Sequence, residues 1–329
     1  MSEVVAQSVS LKAAADFIGN GAIETPVFES EITDLVRRSS VFLSRLQQVP
    51  ATGHPHRYFE QLAIAQAQET DPRNISQTNS GPTRVERPAF IKAVSAQTNI
   101  SQFDKDVTEQ QGQFASVVAK DVHDIINAIC IKRAQMLFTG TDTSLMAPTT
   151  LQWMGLLTQI TQTAYVAIGA SIIDAIKAEI ALMVSNQQFV VRPTAIVLNS
   201  VLGDFIDREA KAGHIELGTA EVTAGVKVST IQTQAGPIPL IPEAFVPTDT
   251  TSKYGFTAPA GGTKNYYAVI VTEDMIEIPV VSGKEFNPNP RLFQLGLIGN
   301  LAGQFVAVKF DTLIAKGPSY AHAVVCVNR

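Results

Sequence analysis

With 329 residues, 45% of them hydrophobic, the chain is long enough to bury a sizeable core. Its net charge of −5 excludes the basic face with which nucleic-acid readers neutralise phosphates. Only 17% of residues are charged, against about 25% in an average soluble protein, so much of the surface is expected to lie against partners.

Residues 1–50 read as an arm with helical pieces. SLKAAADFIG suggests a short helix. ESEITDLVRRSSVFLSRLQQV sets Ile32, Leu35, Val36, Phe42, Leu43 and Leu46 at three- and four-residue steps, and Pro50 should stop it. The start lacks the basic stretch and continuous apolar run of a secretory signal, and no apolar run reaches the ~18 residues of a membrane span. The expectation is folding in a cytosol, with Cys130 and Cys326 as reduced, buried thiols.

Residues 57–67 read as extended or weakly helical. Gln68 to Pro88 is polar, with Ile75 and Val85 as its aliphatic side chains and Pro72, Gly81, Pro82 and Pro88 as breakers. AFIKAVSAQTNIS then reads as extended, so two strand-like segments outline a long hairpin around a polar tip. TEQQGQFASVVAKDVHDIINAICIKRAQMLFTG follows as the clearest helix. Asp106 or Thr108 should cap it, and Gly140 should end it in a left-handed conformation. Phe114, Val118, Val122, Ile125, Ile129 and Met136 form its core stripe. Some 30 helical residues would make a spine of roughly 45 Å.

SIIDAIKAEIALMVS, PTAIVLN and SVLGDFIDREAKAG form a helix–strand–helix unit, with Asn199 or Ser200 capping the last helix and Gly213 ending it. VKVSTIQTQAGPIPLIP predicts a hairpin around QAGP, and YYAVIVTEDMIEIPVV a second around Thr272, Glu273 and Asp274. The end, FVAVKFDTLIAKGPSYAHAVVCVN, is strand-rich.

No nucleophile elbow, P-loop, zinc-protease or dinucleotide motif occurs. His54 and His56 are a two-donor set without a nearby Cys or Asp, read as an exposed loop rather than a metal site. His123 reads as a surface histidine, and Asp204, Asp207 and Glu209, mixed with Arg208 and Lys211, as a solvated helix face. An α/β hydrolase or transferase in residues 163–245 would need Ser200 to meet His214 in space, with the polar stretch as a lid.

Taken in order, the arm, polar-tipped hairpin, spine helix, helix–strand–helix unit and strand-rich end resemble the major capsid protein of tailed double-stranded DNA bacteriophages, the Hong Kong 97-type fold. RPTAIVLNSVLGDF, QAGPIPLIPEAFVP and YAHAVVCV carry local likenesses. The resemblance implies an α+β fold with an N-terminal arm (1–50), an extended β-hairpin loop (51–104), a peripheral domain with the spine helix (105–162) and an axial α/β domain (163–245). A strand-rich return (246–329) would complete both domains. It implies a structural protein of the virion rather than an enzyme, with no catalytic residues, metal or cofactor, assembled from hexamers and pentamers in the host bacterial cytoplasm. The icosahedral head would enclose double-stranded DNA without reading its sequence. A portal and separate scaffolding and cement or decoration proteins would be its partners, and no membrane is involved. An encapsulin-type nanocompartment shell shares the fold and is the alternative reading. A long polar hairpin cannot bury its own edges, so a neighbouring subunit should cover them. No lysine lies between Lys12 and Lys92, which removes lysine cross-links from the loop. Arg73, Arg84 and Arg87 remain as the inter-subunit contacts, pairing with carboxylates of an adjacent subunit.

Overall fold

The computed structural model describes residues 39–73, 75, 81–111, 117–215, 217–223, 226–283, 285–298 and 302–329. The SLKAAADFIG segment and Ile32, Leu35 and Val36 lie outside them. The chain enters through a five-residue helix α1 (Val41–Arg45), capped by Ser40, and continues at once into strand β1 (Gln47–Pro50), so the expected helix ends before Pro50. A hairpin follows, β2 (His56–Ala63) and β3 (Thr83–Ala89), and then β4 (Lys92–Ser101).

Helix α2 (Gln102–Gln111) starts directly after β4. Asp106 therefore sits inside that helix and accepts from Gln102 Nε2 one turn away, and neither it nor Thr108 is a cap. Helix α3 (Val117–Thr139) is the spine, about 35 Å of rod from its 23 residues. Phe114 lies outside the described residues, as does the side chain of Val118. Ile125 and Ile129 are buried, whereas Val122 is half-buried. Gly140 is not left-handed. A Cβ there would lie 2.2 Å from the carbonyl of Trp153, and one at Gly155 would lie 2.5 Å from that of Phe138, so both glycines let two backbone stretches touch. That contact holds the 140–155 excursion against the end of the spine and places Trp153, fully buried, in the core.

The short helix α4 (Leu156–Gln159) and strand β5 (Thr163–Val166) lead to α5 (Ile172–Val184), β6 (Ala195–Leu198) and α6 (Ser200–Ala212). Asn199 caps α6 by accepting from Val201 N. Ile172, Ile173, Ile176, Ile180 and Met183 form the buried face of α5, and Leu202, Ile206 and Ala210 that of α6. Glu209 of α6 accepts from Ser171 Oγ at 2.6 Å, Ile172 N at 2.9 Å and Ile173 N at 3.2 Å, so a carboxylate of one helix satisfies the free amides at the start of the other.

The remaining strands are β7 (Gly218–Thr223), β8 (Val226–Thr233), β9 (Gly236–Pro242), β10 (Thr248–Asp249), β11 (Asn265–Val271), β12 (Ile276–Val280), β13 (Arg291–Ile298), β14 (Ala302–Asp311), β15 (Ile314–Ala315) and β16 (Ala323–Asn328). One sheet runs β5-β16-β11-β6-β9-β8-β7, with β10 beside β11. A second runs β1-β12-β14-β13, with β4 beside β14 and β15 beside β12. The β8–β9 hairpin forms as expected, with Gly236 at φ 103° after its turn. The expected hairpin around Thr272 does not: β11 belongs to the first sheet and β12 to the second, and the single turn Glu273–Met275 passes the chain between them.

Alternation along three strands makes two cores of one sheet. Ala195, Val197, Tyr267, Val269, Val271, Val324 and Cys326 face the core shared with the spine, Phe42, Phe138 and Trp153. Ile196, Leu198, Ala268, Ile270, Val325 and Val327 face α5 and α6. Strands covered on both faces must be apolar at every position, which is why these runs show no polar alternation. Burying one such Ile or Leu contributes about 1.5–3 kcal/mol. Cys130 differs from the expectation: it is exposed on α3, while Cys326 is buried and both are free.

His322 is fully buried before β16, where Nδ1 accepts from Thr272 N at 3.3 Å, and burial pushes its pKa down to about 4. The unfolded chain would protonate near pH 6.5 while the folded chain stays neutral, so stability present above pH 6.5 is lost as pH falls toward 4, by up to about 3 kcal/mol. Thermal melts from pH 7.5 to 4.5 should show this fall, and His322→Asn should flatten its share of it. Parallel curves for both proteins would remove His322 from the acid response.

Candidate functional site

The β2–β3 hairpin stands apart as its own two-stranded sheet. Its pairing corrects the sequence reading. The partner of His56–Ala63 is Thr83–Ala89, inside the polar stretch, while the AFIKAVSAQTNIS strand pairs with β14 instead. Pro88 pairs opposite Arg57 rather than breaking the strand, a place open to proline because the strand is an edge.

The hairpin has two unlike faces. His56, Tyr58 and Glu60 alternate toward the body and are buried; Arg57 and Phe59 point away, Phe59 with 73% of its surface exposed. Arg57 Nη1 donates to Glu86 Oε1 at 2.8 Å on the outer face. On the inner face Glu60 is the anchor. Its Oε1 accepts from Gly317 N at 2.7 Å, and Oε2 lies 2.5 Å from Arg87 Nε. The second contact is not directed as a hydrogen bond and acts as a charge contact. Gly317 has φ 63° and a Cβ there would meet the Tyr320 ring at 2.7 Å, so a glycine is required where the C-terminal loop meets the hairpin.

Around this anchor Tyr58, Glu60, Arg87, Leu145, Met146 and Pro318 line a cavity of about 200 Å³. Burial, then the Glu60 charge, pushes the Tyr58 hydroxyl up to about 12, so it stays a neutral donor. The chain re-enters the body over a second buried pair, Lys92 Nζ to Asp142 Oδ2 at 2.7 Å, with Lys92 also donating to the Thr150 carbonyl at 2.5 Å. Burial acts to raise the Asp142 carboxyl, but hydrogen bonds from Lys92 and Thr149 outweigh it and hold it below the usual range. The hairpin base is thus fixed by two ion pairs.

Of the three loop arginines, Arg87 lies against Glu60 of its own chain. Arg73 and Arg84 are exposed. His56 is buried, not in an exposed loop: Nδ1 accepts from Thr52 N at 3.2 Å, burial lowers its pKa, and His54 packs edge-on against Phe90. Among the described residues no three His, Cys, Asp or Glu side chains gather as a metal site. Ser200 begins α6 and His214 follows its end, so 13 residues of helix, about 20 Å, keep apart the pair a hydrolase would need. Sequence reasoning missed Glu60, Lys92 and Asp142, because nothing local marks a charge as buried.

Several shell proteins have structures similar to this one. The acid-stable capsid of Helicobacter pylori bacteriophage KHP30 aligns over 95% of this chain and 97% of its own, with TM-score 0.64 and 10% identity. The capsid of an empty GTA particle aligns over 93% and 95%, with TM-score 0.63 and 12% identity. The encapsulin of the holo-SrpI complex from Synechococcus elongatus PCC 7942 aligns over 95% and 94%, with TM-score 0.58 and 13% identity. No protein-family model matches the chain, and no curated protein matches its sequence. The chain has the α+β fold of Hong Kong 97-type capsid proteins.

Glu60→Gln keeps the acceptor for Gly317 N and removes the charge facing Arg87. It is expected to loosen the hairpin by about 1–3 kcal/mol and to speed tryptic cleavage after Arg84 in the free subunit, with little change in the melting temperature of the body. Unchanged cleavage would mean that packing, not the ion pair, holds the hairpin.

Proposed function

We propose that this chain is the major capsid protein of a tailed double-stranded DNA bacteriophage, a structural subunit that assembles into an icosahedral head. The observation that carries the reading is a likeness over 93–95% of the chain to phage capsid and head structures. In this reading the hairpin is the extended loop, the second sheet with the spine is the peripheral domain, and the first sheet with α5 and α6 is the axial domain.

Physical features of the chain support assembly with its own copies. Phe59, Leu62, Ile64 and Ile75 expose 41–73% of their surface along the hairpin and its tip, on a two-stranded sheet with open edges. On the outer face of the second sheet, Phe293, Leu295, Val306, Val308 and Phe310 lie beside Ser95, Gln97 and Asn99. That three-strand face carries one described charge, Arg291. The hairpin of one copy laid on this face of the next would cover both. Arg73 and Arg84 then meet carboxylates of the neighbour, and a separate cement protein reinforces the shell, since the loop has no lysine. Scaffolding protein, portal and DNA complete the particle, which forms in the host cytoplasm. The encapsulin likeness supports a second reading, a nanocompartment shell that encloses protein cargo.

Electron microscopy of the purified protein should show closed shells or capsomers, and a protein that stays monomeric in all conditions would sink both readings. Nucleic acid rather than protein in native particles selects the phage head. Mature particles should run on denaturing gels as a single band near 35.3 kDa without reductant. The Arg73→Ala, Arg84→Ala double variant should weaken particles more at low than at high salt, at about 0–1 kcal/mol per exposed pair. A covalent ladder, or an arginine effect indifferent to salt, would overturn this account of how the shell is held.

A further inference from the structure

Lys309 of β14 is 3% exposed, yet its ammonium joins segments far apart in sequence. Nζ donates to Oε1 of Gln48 on β1 at 2.9 Å and to the carbonyl of Pro288 in the loop before β13, and it lies 3.9 Å from Asp311 Oδ2 on its own strand. Asp311 is already engaged by Arg133 of the spine, Nε to Oδ2 at 2.7 Å. The groups facing Lys309 are Arg133 and Cys130 from α3 and Asp311 from β14, while β1 offers the neutral Gln48 and β4 sets the neutral Val94 opposite. Among its described residues the loop supplies only a carbonyl there, and its Glu285 is exposed.

We propose that Lys309 is a proton-linked clasp for the arm strand β1 and the loop around Pro288, weakest while Lys309 is charged. The inference rests on the packing of the chain and is independent of the assembly reading. In the closed arrangement burial, and then the like charge of Arg133, push the Lys309 pKa down to about 8, against the opposing pull of Asp311 and Cys130. If β1 and the loop lift away and the side chain reaches water, its pKa returns toward 10.5. The open form then binds the proton more tightly, so protonation favours opening and deprotonation favours closing. With those two values the closed-to-open ratio rises about tenfold between pH 7 and pH 9. Backbone bonds from Ala51 N to Val280 O and from Val281 N to Phe310 O report the closed state, because both cross the edge that would open.

Hydrogen exchange of the full chain, divided by the free-peptide rate at each pH, tests this. Protection of the peptides containing Ala51 and Val281 should rise about tenfold from pH 7 to pH 9 in the natural protein, while the β6 strand stays level. Lys309→Met, which neither titrates nor donates to Gln48 and Pro288, should be flat over this pH range whatever its level. Lys309→Arg, charged at every pH, should be flat at or below the natural pH 7 level. A natural profile that is flat or falls, or a rise that persists in either variant, overturns the proposal.

Discussion

The Arg133–Asp311 pair, 2.7 Å apart and almost wholly out of water, is the contact on which the arrangement of the second sheet depends. It fastens the spine helix to β14, and β14 in turn carries β4, β13 and the end of β12. The Arg133 guanidinium also lies 5.4 Å from the centre of the Trp153 ring, so the same group pins the excursion that Gly140 and Gly155 admit. Burial works against the charge on Asp311, and Arg133 and then Lys309 oppose it. A buried pair need not add net stability over an apolar substitute, but removing one partner costs about 3–5 kcal/mol, a large part of the 5–15 kcal/mol that holds a domain folded. The pair's contribution is therefore to specify one position for the spine.

From that fixed point the rest is graded in rigidity. The first sheet is covered on both faces and needs no charge in its centre. The hairpin has no core of its own, since Tyr58, Ala89 and Ile314 are its buried cluster with Leu145 beside them. It is held at its root by Glu60, Arg87, Lys92 and Asp142, while Leu62, Ile64 and Ile75 farther out are exposed. Charge contacts, rather than a core, therefore fix where the hairpin leaves the body.

What the sequence made legible follows burial symmetry. Central strands covered on both faces read as unbroken apolar runs, and α6 carried its Asn199 cap openly. β3 was hidden because its burial shows no strict alternation, and one proline, Pro82, precedes it while another, Pro88, lies within it. The crossing at Thr272 was misread because a hairpin and a passage between sheets share one local pattern, and only distant pairing separates them. Gly140 was read for its conformation when its role is the space it leaves. The charges that matter most, Glu60, Arg133, Lys309 and Asp311, are each flanked by ordinary strand or helix residues, and burial is a property of the fold, not of the neighbours in sequence.

The low charge of the chain can now be located. Buried pairs consume Lys92, Asp142, Arg133, Lys309 and Asp311, which contribute nothing to solvation. The outer face of the second sheet is left nearly uncharged, and Phe59, Leu62, Ile64 and Ile75 project from the hairpin and its tip. Such a surface is costly for a free monomer, because apolar area stays in water and sheet edges remain open to any passing strand. Covering these faces would remove that cost, and on the hairpin the charges beside Phe59 already neutralise one another, Arg57 Nη1 donating to Glu86 Oε1 at 2.8 Å.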